Sequence, residues 1–133
     1  MRGFYEVLMT KFGILGQNFQ GCDASILIDS TKTRSSEKDA GPNLTVRGFE
    51  LIDEAKRNLE AACPSTVSCA DIITLATGDA VALAGGPGYN VSTGRRDGLV
   101  SDSSEVNLPG PSLSISDAAR FFTAKGLTLN DMV

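Results

Sequence analysis

The chain has 133 residues, a net charge of −4 and 41% hydrophobic residues, which is ordinary for one globular domain. Its 12 Lys and Arg residues form no cluster beyond Arg95-Arg96, so nucleic-acid binding is disfavoured. No apolar stretch approaches the roughly 20 residues that span a bilayer, so we expect no membrane insertion. The chain contains 3 cysteines and no histidine, so it lacks the commonest general base and the commonest metal ligand.

The first third of the chain gives weak signals of secondary structure. Residues 1–20 predict a short helix over residues 4–12, and their pattern is not that of a signal peptide. A short apolar run follows at residues 26–28. The polar stretch over residues 29–43 is either held by contacts with other parts of the chain or mobile, and the sequence leaves both possibilities open.

Residues 46–62 predict an amphipathic helix, because apolar side chains recur on one stripe and charged side chains occupy the remaining surface. The stripe consists of Phe49, Ile52, Ala55, Leu59 and Ala62.

The clearest helix signal runs from Cys69 to Ala84. Ser68 followed three residues later by Asp71 is the pattern of a capping box. Apolar side chains then cover most of the circumference, so we expect this helix at the centre of a bundle with other helices on several sides. The Gly-Gly-Pro sequence at residues 85–87 should end it, since glycine favours the left-handed cap and proline cannot continue a helix.

The last third of the chain predicts loops followed by a helix. Residues 87–113 are interpreted as extended or looping, and residues 114–125 as a helix with a capping box at Ser114 and Asp117. Gly126 is its expected stop. The predicted fold class is therefore all-α.

A third capping box, Thr128 with Asp131, stands just before the last residue, Val133. One isolated helical turn is unstable. We therefore expect that the sequence is cut short at this end, and that apolar faces of residues 72–84 lie uncovered. Poor stability and aggregation, rather than a well-packed monomer, would follow.

Oxygen-bearing groups after Gly21 suggest a site for a hard cation. The Gly21 carbonyl and the side chains of Asp23 and Ser25 can face one point, and calcium prefers several such oxygens. The alternative is an Asx-type turn with a purely structural role. The residue types alone leave both interpretations open.

The Gly-Arg-Arg-Asp sequence at residues 94–97 also has two interpretations. It can bind an anion, or an arginine can form a structural ion pair that joins loops. Two N-glycosylation patterns, at Asn43 and Asn90, matter only if the chain enters the secretory route.

Taken together, the motifs resemble the middle of a plant secretory (class III) haem peroxidase. They match in order and spacing from residue 21 to residue 133, so we divide the chain into a segment 1–20 unlike the family and a partial peroxidase domain 21–133. The motifs are GCDASILI, SEKDAGPN, VRGFELIDEAK, AACPSTVSCADII, DAVALAGGP, TGRRDGLVS, NLPGPS and KGLTLNDMV.

The resemblance implies an all-α, two-lobed fold with haem b between the lobes, calcium ions and disulfides. It also implies secretion to the extracellular space, reduction of hydrogen peroxide and oxidation of small phenolic donors. In the family one histidine activates peroxide and another ligates the iron. This chain has no histidine, so it cannot fill either role, and we expect no catalytic residues, no haem ligation and no activity from the chain as written.

By the same resemblance, four residues belong to a partial calcium site: Gly21 through its carbonyl, Asp23, Ser25 and, through water, Glu37. Asn43 corresponds to an asparagine that orients the peroxide-activating histidine. Pro109 corresponds to a proline whose carbonyl helps to bind the donor substrate.

Cys22, Cys63 and Cys69 correspond to half-cystines whose partners lie in segments absent from this sequence. The resemblance also predicts arginine at Gly78 and proline at Ser92, where this chain differs. The alternative to a haem peroxidase is a non-catalytic helical fragment, or a calcium-stabilised module that acts by binding.

Overall fold

The computed structural model describes residues 22–132. Within that range lie three α-helices, and no β-strand, which confirms the all-α fold class. The helices are α1 (Phe49–Ala62), α2 (Cys69–Leu83) and α3 (Ile115–Ala124), joined by loops and short 3-10 turns. None of the described helices combines the length and the apolar character needed to cross a bilayer. The helix predicted over residues 4–12 and the boundary predicted after residue 20 lie outside the described residues.

The amino end of α2 is capped by side chains from two parts of the chain. The Ser68 hydroxyl accepts a hydrogen bond from the Asp71 amide at 3.1 Å, as the capping pattern predicted. The two carboxylate oxygens of Asp97 accept from the amides of Cys69 and Ala70 at 3.0 and 2.8 Å. Three of the amides that a helix leaves without partners in its first turn are thereby satisfied.

The carboxyl end of α2 is closed by two glycines, as predicted. Gly85 has a positive φ of 89°, and its amide donates to the carbonyl of Ala82 at 3.0 Å. The amide of Gly86 donates to the carbonyl of Val81 at 2.9 Å, which completes a Schellman motif. A Cβ at Gly86 would lie 2.7 Å from a Val81 methyl carbon, so the motif has no room for a side chain there.

The surroundings of α2 differ on its two sides. Its buried side chains include Ala70, Ile72, Ile73, Val81 and the threonines Thr74 and Thr77. Among the described elements, α1 makes the most extensive contact with α2. The expectation of helices on several sides is wrong for the described part of the chain, because Leu75 and Leu83 are 41% and 89% exposed. These values agree with the expectation that part of the apolar surface of residues 72–84 is uncovered.

Helix α1 begins three residues later than predicted, because Gly48 adopts a left-handed conformation with φ 93°.

The turn from α1 to α2 is held by two charged side chains. Lys56 pairs with Glu60 at 2.6 Å and donates to the carbonyl of Val67, also at 2.6 Å. Glu60 in turn accepts from the amide of Ser65 at 2.8 Å, so the two side chains fix the loop before α2.

Helix α3 starts and stops where its caps predicted. The Ser114 hydroxyl accepts from the Asp117 amide at 3.1 Å, and Gly126 has a φ of 76°. Phe122 is buried, but Ile115, which was predicted on the same apolar stripe, is 80% exposed. Ile115 is the first residue of the helix and projects beyond the surface that α3 buries.

The polar stretch over residues 29–43 is held by specific hydrogen bonds, which is the first of the two possibilities that its composition left open. Ser36 is buried, and its amide donates to the Ser30 hydroxyl at 2.7 Å. The Glu37 amide donates to the Ser101 hydroxyl at 2.9 Å. This bond joins the stretch to the loop that precedes the 3-10 turn Ser103–Glu105.

Candidate functional site

Asp23 lies on a tight backbone curve that leads into the 3-10 turn Ser25–Leu27, whose first residue is Ser25. Cys22 and Ala24 both have positive φ, at 64° and 61°. The amide of Ser25 donates to Oδ1 of Asp23 at 3.1 Å. The structural alternative predicted from the sequence, an Asx-type turn, is therefore present, and it holds the Asp23 carboxylate in a fixed direction.

Glu37 lies beside these two residues, although it is 12 positions farther along the chain from Ser25. The 3-10 turn Ser25–Leu27 contacts the turn Glu37–Asp39, and the Ser25 hydroxyl lies close enough to the Glu37 carboxylate to influence its ionisation. Partial burial raises the pKa of Glu37 above its ordinary value of 4.5, and the nearby carboxylates of Asp23 and Glu105 raise it further, whereas the nearby Ser25 hydroxyl lowers it. We refer to Asp23, Ser25 and Glu37 as the acidic site.

Two further residues shape the acidic site and were missed by the sequence analysis. The amide of Gly98 donates to the carbonyl of Asp23 at 2.7 Å, and a Cβ at Gly98 would overlap Oδ2 of Asp23. Glu105 adds negative charge near Glu37. Both residues come from a loop more than 70 positions from Asp23, so no local sequence pattern could reveal the contact.

The acidic site matches the chemistry of a hard cation in part. Two carboxylates and one hydroxyl lie near one another, and the raised pKa of Glu37 reflects burial and neighbouring negative charge, which a bound cation would offset. Within residues 22–132, no three Asp, Glu, Cys or His side chains are close enough to form a metal centre. Gly21, whose carbonyl was the fourth predicted ligand, lies outside the described residues. The described oxygens thus fit a partial calcium site and are fewer than the six to eight ligands that calcium prefers.

A second set of contacts joins α2 to the loop at residues 94–97, and we call it the helix clamp. Asp71 accepts from the amide of Gly94 at 2.7 Å and from both the amide and the guanidinium of Arg95 at 3.2 Å. These bonds, with the Gly94 amide foremost, lower the pKa of Asp71 below its ordinary value of 3.8. Asp97, which belongs to the same loop, completes the clamp: its carboxylate accepts hydrogen bonds from the first two amides of α2.

The helix clamp corrects two details of the sequence interpretation. The capping box at Ser68 is made on one side only, because the carboxylate of Asp71 binds the 94–95 loop instead of turning back to the Ser68 amide. The ion pair predicted for the 94–97 sequence forms between Arg95 and Asp71, while Asp97 caps the helix. Since these groups bind one another, the structural interpretation of the sequence is favoured over anion binding.

Asn43 and Pro109 occupy separate parts of the structure. Asn43 is buried, and its side-chain nitrogen donates to the carbonyl of Glu37 at 2.8 Å, which connects it to the acidic site. Pro109 is half-buried in the loop before α3. Among the described residues, none donates a hydrogen bond to the Pro109 carbonyl.

The three cysteines are half-buried. Cys63 caps the end of α1, and Cys69 is the first residue of α2. These two thiols are not bonded to each other. Burial raises the pKa of the Cys69 thiol, and the adjacent Asp97 carboxylate raises it further, so thiolate formation at Cys69 is disfavoured.

Comparison with known proteins places these features in a family. A family model described as "Peroxidase" matches residues 4–133. The chain belongs to the peroxidase family. Peroxidase 44 and Peroxidase 57 of Arabidopsis thaliana are each 64% identical over 114 residues, which is 86% of this chain. Peroxidase 5 of Vitis vinifera is 50% identical over 117 residues, again 86% of this chain.

The matched region is a limited part of each relative. It covers 37% of Peroxidase 44 and 36% of both Peroxidase 57 and Peroxidase 5. The helices, the acidic site and the helix clamp thus lie in a segment that spans little more than a third of these peroxidases.

Proposed function

We propose that these 133 residues serve as a scaffold segment of a haem peroxidase that reduces hydrogen peroxide and oxidises small phenolic donors. The family match over residues 4–133 supports the reaction class. The single structural observation that carries the scaffold role is the convergence of Asp23, Ser25 and Glu37, from two separate loops, on one acidic site. Calcium bound there would join the loop at residue 23 to the loop at residue 37.

The residues of the acidic site have distinct roles in this proposal. Asp23 supplies a carboxylate oxygen, and the turn through Ala24 fixes that carboxylate through its hydrogen bond from the Ser25 amide. Glu37 acts through an intervening water, as the resemblance implies. The Gly21 carbonyl is proposed as a further ligand. Gly98 leaves the space that the Asp23 carboxylate occupies.

Two other residues contribute to the proposed enzyme without acting on peroxide themselves. The buried side-chain nitrogen of Asn43 is committed to Glu37, and its amide oxygen is proposed to accept from the peroxide-activating histidine in a chain that carries one. The Pro109 carbonyl is proposed to accept a hydrogen bond from the hydroxyl of a phenolic donor. By family resemblance, the complete enzyme is extracellular.

Haem does not fit the residues of this chain. The family uses histidine both as iron ligand and as acid–base group, and the 133 residues contain none. We therefore assign no step of the peroxide chemistry to these residues, and we propose that the 133-residue polypeptide by itself is inactive as a peroxidase.

The test is a reconstitution assay on the purified 133-residue chain with added haem, hydrogen peroxide and a phenolic donor. We expect no donor oxidation above that given by the same concentration of free haem. Oxidation well above free haem, together with a protein-dependent shift of the haem Soret band, would overturn the proposed inactivity.

A second candidate function, a calcium-stabilised module that acts by binding, is favoured by the position of the acidic site. Asp23, Ser25 and Glu37 meet without any contribution from a histidine-bearing segment. Calcium binding by the inactive 133-residue chain would be compatible with both candidates. The two candidates differ in that only the binding module requires a partner for the free chain. Affinity capture on the immobilised chain, once with calcium and once with a chelator, would show whether the binding of such a partner depends on calcium.

A further inference from the structure

The two N-glycosylation patterns of the chain lie in contrasting surroundings. Asn43 is only 5% exposed, and its side-chain nitrogen donates to the carbonyl of Glu37 at 2.8 Å. An N-linked glycan attaches to that same nitrogen. A glycan on Asn43 would therefore require the opening of the buried region next to the acidic site, because the sugar must replace a hydrogen on this buried nitrogen.

Asn90, in contrast, is exposed in a segment that contains neither helix nor turn. The side chains on either side of it both approach Gly78 of α2. A Cβ at Gly78 would lie 3.3 Å from Cγ2 of Val91 and 3.9 Å from the Tyr89 ring. Because side chains alternate in direction along an extended segment, Asn90 points away from the helix and toward solvent. Within the described residues, the side-chain amide of Asn90 makes no hydrogen bond.

The remainder of the Asn90 pattern is also accessible. Ser92, which supplies the required hydroxyl two residues after the asparagine, is exposed. The carbonyl of Ser92 accepts a hydrogen bond from the guanidinium of Arg95, and Arg95 is itself bound to Asp71 of α2. The segment is thus held at its base while the side chains of Asn90 and Ser92 face outward.

From these contrasts we propose that Asn90 is the N-glycan acceptor of the folded chain and that Asn43 is not an acceptor in that state. In the transfer, the side-chain nitrogen of Asn90 forms a bond to the anomeric carbon of a lipid-diphosphate-linked oligosaccharide. The nitrogen loses one proton, and the lipid diphosphate leaves. In its native cell the modification rests on the extracellular location proposed above.

The test supplies its own secretion leader, so its outcome is independent of both the native location and the peroxidase assay. The full 133-residue chain is expressed behind a heterologous cleavable leader in a eukaryotic cell, and soluble and aggregated fractions are collected. Enzymatic release of N-glycans in heavy-oxygen water converts each occupied asparagine to labelled aspartate, which peptide mass spectrometry locates.

We expect labelled Asn90 in both fractions and unlabelled Asn43 in the soluble fraction. The Ser92→Ala variant should lose the label at Asn90 and the mobility shift of one glycan, whereas Thr45→Ala should keep both. A label on Asn43 confined to the aggregated fraction would support the proposal, since a glycan there prevents native packing. Unlabelled Asn90 in every fraction, or labelled Asn43 in the soluble fraction, would overturn it.

Discussion

The carboxylate of Asp71 accepts two hydrogen bonds from Arg95, one from its backbone amide and one from its guanidinium, both at 3.2 Å. Asp71 is buried on α2, and Arg95 comes from a loop 24 positions later. This pair joins α2 to the loop that also carries Asp97 and Gly98. The stability of the acidic site is therefore expected to depend on the helix clamp.

Removal of the Asp71 carboxylate should destabilise the chain strongly. Asp71→Ala leaves the Gly94 amide and the Arg95 guanidinium without their acceptor, at an expected cost of about 3 kcal/mol in the free energy of unfolding. Urea unfolding followed by circular dichroism measures the change. Asp79→Ala, an exposed position on the same helix, is the matched control and should change the free energy by less than about 0.5 kcal/mol.

Asp71 also gives a pH dependence with a definite sign. Its pKa in the folded chain is lower than the ordinary value of 3.8, so its stabilising contribution is complete above that value. The contribution is lost as the pH falls through the folded pKa. The stability difference between wild type and Asp71→Asn should therefore shrink below pH 3.8. A difference that stays constant on acidification would contradict the assignment.

Removal of the Asp97 cap should lower the free energy of unfolding by less than removal of Asp71, and the loss should differ between two substitutions of Asp97. Asp97→Ala removes the acceptor for the Cys69 and Ala70 amides and should cost about 1 kcal/mol. Asp97→Asn keeps one oxygen and should retain part of that stability. Equal losses in the two variants, measured by urea unfolding, would mean that negative charge rather than amide capping is the source of the stabilisation.

The caps were predictable from the sequence, whereas the long-range contacts were not. Ser68, Ser114 and Gly126 act within one turn of their own helices, so their residue types carry the signal. The bond from Glu37 to Ser101 joins residues 64 positions apart, and nothing in the local pattern of either residue marks the other as its partner.

Some residues of the acidic site could likewise be predicted from the sequence, and others could not. The residue types and the family resemblance are enough to indicate Asp23, Ser25 and Glu37 as members of one site. The roles of Gly98 and Glu105 appear only when the loop after α2 is placed beside Asp23, because both act through space rather than through a motif.

Gly98 gives a direct test of that spatial argument. In Gly98→Ala the new Cβ would overlap Oδ2 of Asp23, so the carboxylate must move and the acidic site must distort. We expect at least a tenfold loss of calcium affinity, or about 1.4 kcal/mol, by isothermal titration calorimetry. Gly88→Ala is the matched control, since no atom lies within 4 Å of its Cβ position. An unchanged affinity in Gly98→Ala would remove Gly98 from the site.

Glu37 predicts a pH dependence opposite to that of Asp71. Its pKa is raised above 4.5 in the folded chain, so without calcium its ionisation opposes folding. The contribution of Glu37 is most favourable below pH 4.5 and declines as the pH rises through its folded pKa. In a chelating buffer at neutral pH, Glu37→Gln should therefore increase the free energy of unfolding. A loss of stability in that buffer would show that the ionised carboxylate is already compensated without calcium.

The most direct test of the calcium-stabilised scaffold is the midpoint of thermal unfolding of the 133-residue chain with and without calcium. For a dissociation constant of about 1 mM, about 10 mM calcium should add about 1.4 kcal/mol, or roughly 5 °C in the midpoint. Asp23→Asn should abolish the increase, and the exposed control Asp79→Asn should keep it. An equal midpoint with calcium and with chelator, together with no heat of calcium binding in calorimetry, would contradict the proposed scaffold role of the acidic site.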